Sequence, residues 1–326
     1  MRVVGSTAGI SIQAPEDAYF SYFNSPYVGH DIGSAIDIYP RHQVWYGDVV
    51  SPVSGKVVKI KKMRMGQPKD FPTHDFDYAI GILPEESNND IVRIMHCEPT
   101  VSVGETVSMG GKIGHAIRSR YFNYWTGPHY HVEIVPSESF ERSTKSYPLE
   151  LTYHFEAKKT RSVNKKNEFL VCSVTKDHIV GYAENLGQAS IGDLVGLPAV
   201  SEDEELKGIL DGGLSHYKIG GVIGSEHLRE GTQVYLLDSS VGTIRKSKSG
   251  TTLFDRGPSI TSFLDMTELR GLSCFIYSKH YTKRQVPQLI LIPKRYGQFK
   301  DLFNEGDLHE LRIVSSNNTV KAGQVK

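Results

Sequence analysis

Gly127-Pro128-His129-Tyr130-His131-Val132-Glu133-Ile134-Val135 decides how this chain is read. After the Gly-Pro pair the run is aromatic and β-branched, which is strand composition. Residues two apart on a strand share a face, so His129 and His131 point the same way. Two imidazoles on one face suit a metal or a hydrolytic centre, and imidazole is a natural zinc ligand. A His-x-His pair alone is more often solvated or structural than catalytic. The surrounding chain has to carry the rest.

Working outward, Gly and Pro separate short β-branched runs at 49–50, 56–60, 78–83 and 91–95, the spacing of a mostly-β protein. Two segments look alike: Gly47-Asp48-Val49-Val50-Ser51-Pro52-Val53-Ser54-Gly55-Lys56-Val57 and Gly104-Glu105-Thr106-Val107-Ser108-Met109-Gly110-Gly111-Lys112-Ile113-Gly114. Each places a Gly-acid-x-Val strand before a glycine turn and a second strand. A motif used twice predicts a compact antiparallel β domain. Between the copies, 61–73 is basic and reads as a solvated loop or as a flap over a cleft. Tyr121-Phe122-Asn123-Tyr124-Trp125 reads as core packing, with a binding wall as the alternative.

At 326 residues the chain is long enough for two domains. We expect one over 1–150 and a second, β-rich, over 155–326, with the boundary in the polar stretch 139–166. In the second half strands are expected at 168–174, 217–223, 232–237, 272–277 and 288–293, and helices at 203–210 and around 262–269. Its histidines, His178, His216, His227, His280 and His309, have no ligand spacing. Lys plus Arg equals Asp plus Glu at 37 each, so charge gives no pull toward nucleic acid or an anionic membrane. No apolar run is long enough for a bilayer span, and the N-terminus lacks the apolar core of a signal peptide. The expectation is therefore a cytoplasmic protein with no nucleic-acid or membrane partner, its oligomeric state left open. Cys97, Cys172 and Cys274 are odd in number and widely spaced, and read as reduced, mostly buried thiols.

Three further features surround the histidine pair. Gly29-His30-Asp31-Ile32-Gly33-Ser34-Ala35-Ile36-Asp37-Ile38 carries a histidine and carboxylates around a Gly-Ser turn. His96 ends the apolar run 91–95, and the two glycine-turn segments lie between these pieces. In this order, over residues 28–136, the chain resembles the lysostaphin-type zinc endopeptidases, which cleave peptide cross-links in bacterial cell walls. The resemblance implies a mostly-β fold: an antiparallel β domain with a duplicated barrel-sandwich hybrid motif, grooved across its sheet. It implies that His30, Asp37 and His131 hold Zn2+, that His96 and His129 are non-ligand histidines assisting catalysis, and that the substrate is a peptide. Three ligands leave a position for water, and a neighbouring imidazole can move a proton or donate to an oxyanion.

The chain departs from that pattern in one respect. Six residues separate His30 from Asp37, and on a straight strand this seven-residue step would send the two side chains to opposite faces. The chain must turn or bulge at Gly33-Ser34, and Asp31 stands as a substitute ligand. Two other classes compete. A biotinyl or lipoyl carrier would share the sandwich unit, but neither turn has an attachment lysine in a Met-Lys-Met setting. The other is a non-catalytic binding or structural domain that retains the peptidase fold.

Overall fold

The run after Pro128 forms a strand, Tyr130–Pro136, in which every residue but the last is buried. The computed structural model describes all residues except 42–43, 152–157, 161–166, 184–185, 225–227, 238, 249–250, 256–259, 280, 282–286 and 316–326. In chain order the elements up to that strand are β1 (Arg2–Thr7), β2 (Ile10–Ala14), β3 (Tyr19–Ser21), α1 (Val28–Asp31), β4 (Ala35–Tyr39), β5 (Asp48–Val50) and β6 (Gly55–Arg64). There follow β7 (Phe76–Pro84), β8 (Asp90–Met95), β9 (Cys97–Pro99), β10 (Thr106–Val107), β11 (Lys112–Ala116) and β12 (Tyr130–Pro136). The chain is mostly β, and its described strand pairs are antiparallel. It divides into two compact units, 1–20 with 27–152 and 21–26 with 153–326.

In the first unit an antiparallel sheet runs in the order β4-β12-β8-β7-β6-β10. A smaller sheet orders β5-β11-β9, and β1 and β2 form a hairpin. The look-alike segments supply β5–β6 and β10–β11, and each copy pairs with the other. Thr106 faces Lys56 and Val107 faces Gly55, while Lys112 faces Val50 and His115 faces Asp48. Backbone bonds from Ser51 N to Gly111 O (2.8 Å) and Gly110 N to Ser51 O (2.9 Å) lock the two turns together. Each copy thus covers strand edges that the other would leave open.

Register in this sheet separates an apolar face from a polar one. Val132 sits opposite Ile36 and Ile94, Ile134 opposite Val92, and Ile94 and Val92 in turn opposite Ile80 and Ile82. All are buried, and burial of each such side chain stabilises by about 1.5–3 kcal/mol. Alternation puts His131, Glu133 and Val135 on the other face. There His131 lies opposite Asp37 and Met95, and Glu133 opposite Arg93. Val135 joins Ala79, Ile91 and Phe140 in a small apolar cluster.

The basic stretch differs from its expectation. β6 continues through Arg64, so Lys61, Lys62 and Arg64 lie on a strand and only the remainder is loop. Aromatic partners hold it: Lys62 is opposite Tyr78, and its ammonium lies 4.0 Å from the centroid of the Phe76 ring.

The second unit is also an antiparallel assembly. The strand Leu206–Leu214 pairs with Leu194–Val200, Ile219–Ile223 and Thr267–Cys274 over a core that includes Phe169, Leu210, Val222 and Leu291. The expected helices are absent here. Residues 203–210 run into Leu206–Leu214, and 262–269 form a hairpin between Ile260–Leu264 and Thr267–Cys274 that turns at Asp265 (φ 51°). Cross-strand pairing overrides the local helical pattern, and Gly208, Gly212 and Gly213 would weaken any helix built there. Four of the other expected strands of this half form within a few residues of their expected bounds, while 272–277 is split between Thr267–Cys274 and Ile276–Ser278.

Ser21–Pro26, placed in the first domain by the sequence, packs with this second unit. Buried Asp211 gathers it, accepting from Ser21 Oγ (2.6 Å) and from the amides of Tyr22 (2.7 Å) and Phe23 (3.2 Å). The expected boundary at 139–166 lies partly outside the described residues, as do His227 and His280. Cys97, Cys172 and Cys274 are free thiols, the first and last buried. Among the described residues no helix is long and apolar enough to cross a membrane.

Candidate metal centre

Three elements bring the site together. α1 carries His30, β4 carries Asp37 and β12 carries His131. The seven-residue step from His30 to Asp37 is bridged by a change of structure. His30 sits on a helical turn that ends at Gly33 (φ +70°), where Ser34 N and Oγ both donate to Gly29 O (2.8 and 3.1 Å). Only a residue without a Cβ takes that φ readily. Gly29 is needed for closeness, since a Cβ there would overlap the Glu133 carboxylate and come within 2.9 Å of Ala35 Cβ. Asp37 and His131 then meet because β4 and β12 pair at those residues.

His30 Nε2, Asp37 Oδ1 and His131 Nδ1 converge, with separations of 3.2 Å (His30–His131), 3.3 Å (His30–Asp37) and 2.9 Å (Asp37–His131). Among the described residues these three form a group able to hold a metal ion. Asp31, the substitute carboxylate, is not part of it. His129 Nε2 lies 3.6 Å from the same Asp37 oxygen, and its Nδ1 donates to Gly127 O (2.9 Å). The His96 ring lies 5.4 Å from His129 and 6.1 Å from His131, centroid to centroid. All five residues singled out in the sequence therefore share one site, and all five are buried.

Outer groups hold these side chains. His131 Nε2 bonds Glu133 Oε1 (2.7 Å), and Glu133 in turn pairs with buried Arg93 and accepts from Ser146 Oγ. His96 Nδ1 bonds Asp77 Oδ2 (2.7 Å), which also accepts from Ser119 Oγ (2.7 Å). Phe122 lies 4.5 Å from His96 and 5.2 Å from His129, ring to ring, and Tyr121 lies 5.0 Å from His96. Tyr121 and Phe122 of the aromatic run thus pack around the histidines, while Tyr124 packs against Phe71 and Trp125. Glu133 could have been given this place from the sequence, because it is two residues from His131 on one strand. Asp77, Ser119 and Arg93 carry no such local signal, as each meets its partner across 19 to 42 residues of chain.

The electrostatics favour a cation. Burial works to raise the Asp37 carboxyl pKa, but the charges of His30 and His129 and bonds from His131 and His30 outweigh it and hold it well below the usual range. Burial likewise opposes ionisation of Glu133, yet His131 and Arg93 bring it down to about 2. For His131, burial lowers the pKa, and Glu133 and Asp37 together more than reverse this, raising it to about 9. Burial pushes His129 down to about 4, so it is a neutral imidazole at pH 7. Two ionised carboxylates thus bracket His131 and retain a proton there in the absence of a metal. A divalent cation in the same cradle would displace that proton.

Two family models match in succession: Domain of unknown function (DUF8155) N-terminal domain over residues 11–151, and Domain of unknown function (DUF8155) C-terminal domain over residues 161–289. Together the two matches cover most of the chain. No curated protein matches. Among solved structures, the antimicrobial peptidase lysostaphin from Staphylococcus simulans aligns at 14% identity over 76% of this chain and 97% of its own, with a TM-score of 0.28. A solution structure of lysostaphin aligns at 16% identity over 77% of this chain and 99% of its own, with a TM-score of 0.27. At these scores neither alignment bears on the site, whose geometry stands by itself.

Proposed function

We propose that the first unit is a zinc-dependent endopeptidase that hydrolyses a peptide bond, with His30, Asp37 and His131 as the zinc ligands. The observation that carries this reading is the convergence of His30 Nε2, Asp37 Oδ1 and His131 Nδ1 at 2.9–3.3 Å from one another. A tetrahedral site with zinc–ligand distances of about 2.0–2.1 Å has edges of about 3.3–3.4 Å, so the three atoms need only small shifts. Two imidazoles and one carboxylate suit zinc better than calcium or magnesium, which prefer oxygen. The Glu133 carboxylate on the far nitrogen of His131 is the outer partner that zinc-binding histidines usually have.

When bound, zinc would supply a Lewis-acid centre that brings the pKa of water to about 7. The chain's own residues do the rest. His129, neutral and held by Gly127 O, offers an imidazole beside the cradle that can accept a proton or donate to a developing oxyanion. His96, fixed by Asp77, offers a second one. Phe122 and Tyr121 limit water around both. The motif order over 28–136 supports a peptide as the substrate.

One observation favours a second reading. His129 Nε2 is close enough to Asp37 (3.6 Å) to become a fourth ligand, which would close the site and make it structural. The test is zinc content of the purified chain, together with cleavage of a mixed peptide library with and without chelator. One zinc per chain and chelator-sensitive cleavage are expected. No zinc uptake in excess metal would sink the metal reading, and one tightly held zinc with no peptide cleaved would leave the structural one.

A further inference from the structure

Asp77 and His96 form a buried pair that lies outside the ligand set and has no evident need to be there. Asp77 is 1% exposed, and among the described residues its one ion-pair partner is His96. Burial of a carboxylate is costly without compensation. Three donors compensate it: His96 Nδ1 and Ser119 Oγ on Oδ2, and the Tyr78 amide on Oδ1, each at 2.7 Å. Burial acts to raise the Asp77 pKa, and His96, Ser119 and the Tyr78 amide outweigh it and hold the carboxyl below its usual value.

His96 is held as tightly. Its backbone takes a left-handed conformation (φ 66°) between β8 and β9, unusual for a residue with a Cβ. Bonds from His96 N to Tyr78 O (3.2 Å) and from Ile117 N to His96 O (3.0 Å) fix it there. Such strained positions persist where the surroundings over-determine them, often at functional sites. The effect is to swing the ring off the strand line, toward His129 and His131 and under Phe122. With Nδ1 turned to Asp77, Nε2 is the ring atom on the opposite side.

We infer that Asp77, oriented by Ser119, is the positioning residue of His96, keeping its proton on Nδ1 so that Nε2 presents a lone pair to the reaction. This rests on the endopeptidase reading of the neighbouring site. Asp77 touches no reacting atom, and its effect passes entirely through His96. The logic is that of an acid fixing the tautomer and orientation of a catalytic imidazole.

The test uses the full chain with Asp77→Asn, His96→Ala, the double substitution and Ser119→Ala. Three readings are taken: zinc content, kcat and KM on a cleaved peptide, and the tautomer of His96 by ¹⁵N NMR of the metal-free chain. Asp77→Asn should lower kcat by roughly 10²–10⁴ with zinc content unchanged and KM within about twofold. In the His96→Ala background it should cost nothing further, because the two act as a unit. Wild type should show His96 protonated at Nδ1, and Asp77→Asn should shift protonation toward Nε2. Wild-type rate in Asp77→Asn, a loss that multiplies with that of His96→Ala, or Nε2 protonation in wild type would each overturn the inference. Should Asp77→Asn fail to fold, Ser119→Ala takes its place with a smaller loss, about tenfold, and the same non-additivity. If wild type cleaves no peptide, the endopeptidase reading falls, and the NMR tautomer still decides whether Asp77 sets the proton.

Discussion

β12 in the first unit and Leu206–Leu214 in the second are both strands paired on two sides and almost entirely buried, and both bury an acid. Their acids meet different company. Asp211 accepts from one hydroxyl and two backbone amides, and through them it fastens a segment of chain. Asp37 meets the imidazoles of His30 and His131, and Glu133 meets the His131 imidazole along with Arg93 and Ser146; an imidazole can give up its proton to a cation. Half-buried His216 of the second unit bonds Leu214 O (3.2 Å) and Ser273 Oγ (3.3 Å), both neutral groups. Buried polar groups with neutral partners make structure. Where imidazole and carboxylate share the same space, they make a site for charge.

The comparison breaks most sharply at the ligands. His131→Ala should abolish zinc binding and hydrolysis together, while Asp211→Ala, in the same chain, should weaken the second unit and leave zinc bound. His129→Ala should keep zinc and lose roughly 10²–10⁴ in hydrolysis, the usual contribution of a positioned acid or base. Zinc content by elemental analysis and peptide cleavage check all three. Loss of zinc in His129→Ala would make that residue a fourth ligand and favour the closed, structural site.

A smaller effect is expected one step out. Glu133→Gln keeps the shape but removes the charge on His131 Nε2, so zinc affinity should fall by about 10–100-fold. It also strips buried Arg93 of its ion-pair partner, so the melting temperature should drop too. An unchanged zinc affinity would show that Glu133 only neutralises Arg93. Smaller still for chemistry is Gly221→Ala, whose methyl would overlap the Phe23 ring inside the second unit. Overpacking of this kind costs about 1–3 kcal/mol, and zinc affinity should not move. A zinc effect there would show that the second unit governs the site.

How much of this was legible in the sequence depended on how local the signal was. The His-x-His pair, the twice-used glycine turn, the histidine after 91–95 and the segment 29–38 are local patterns, and the resemblance they carry named the five residues that the fold gathers. The His30–Asp37 step looked too long only on the assumption of a continuous strand. The helical turn ending at Gly33 removes that difficulty, and Gly33-Ser34 was the place to look. Asp77 and Arg93 were not legible, because what joins them to His96 and Glu133 is register between strands distant in sequence. The two expected helices failed for the same reason: 203–210 and 262–269 are set by strand partners, and not by their own residues. Ser21–Pro26 gave no sign that it would pack with the second unit, since Asp211 lies 190 residues from Ser21.

The finest test of the contrast is the response of each unit to pH without metal. Burial holds His216 down at about 3, against about 6.5 in an unfolded chain. Between those values the unfolded state binds more protons than the folded one, so acid favours unfolding. The second unit should therefore lose stability progressively as pH falls below about 6.5, and His216 should contribute no slope above it. His131 works in the opposite sense. Its pKa, raised to about 9 by the carboxylates that outweigh its burial, gives stabilisation that is complete below the unfolded value and is lost as pH rises through 9. The metal-free first unit should thus weaken between about pH 6.5 and 9, a window in which His216 leaves the second unit flat. Zinc should cancel that loss, because the cation takes the place of the proton, and its affinity should rise with pH over the same range. Hydrogen exchange followed by unit, with and without zinc, would read both slopes. An alkaline loss that zinc does not reverse would mean that the proton on His131 and the metal do not compete for one place.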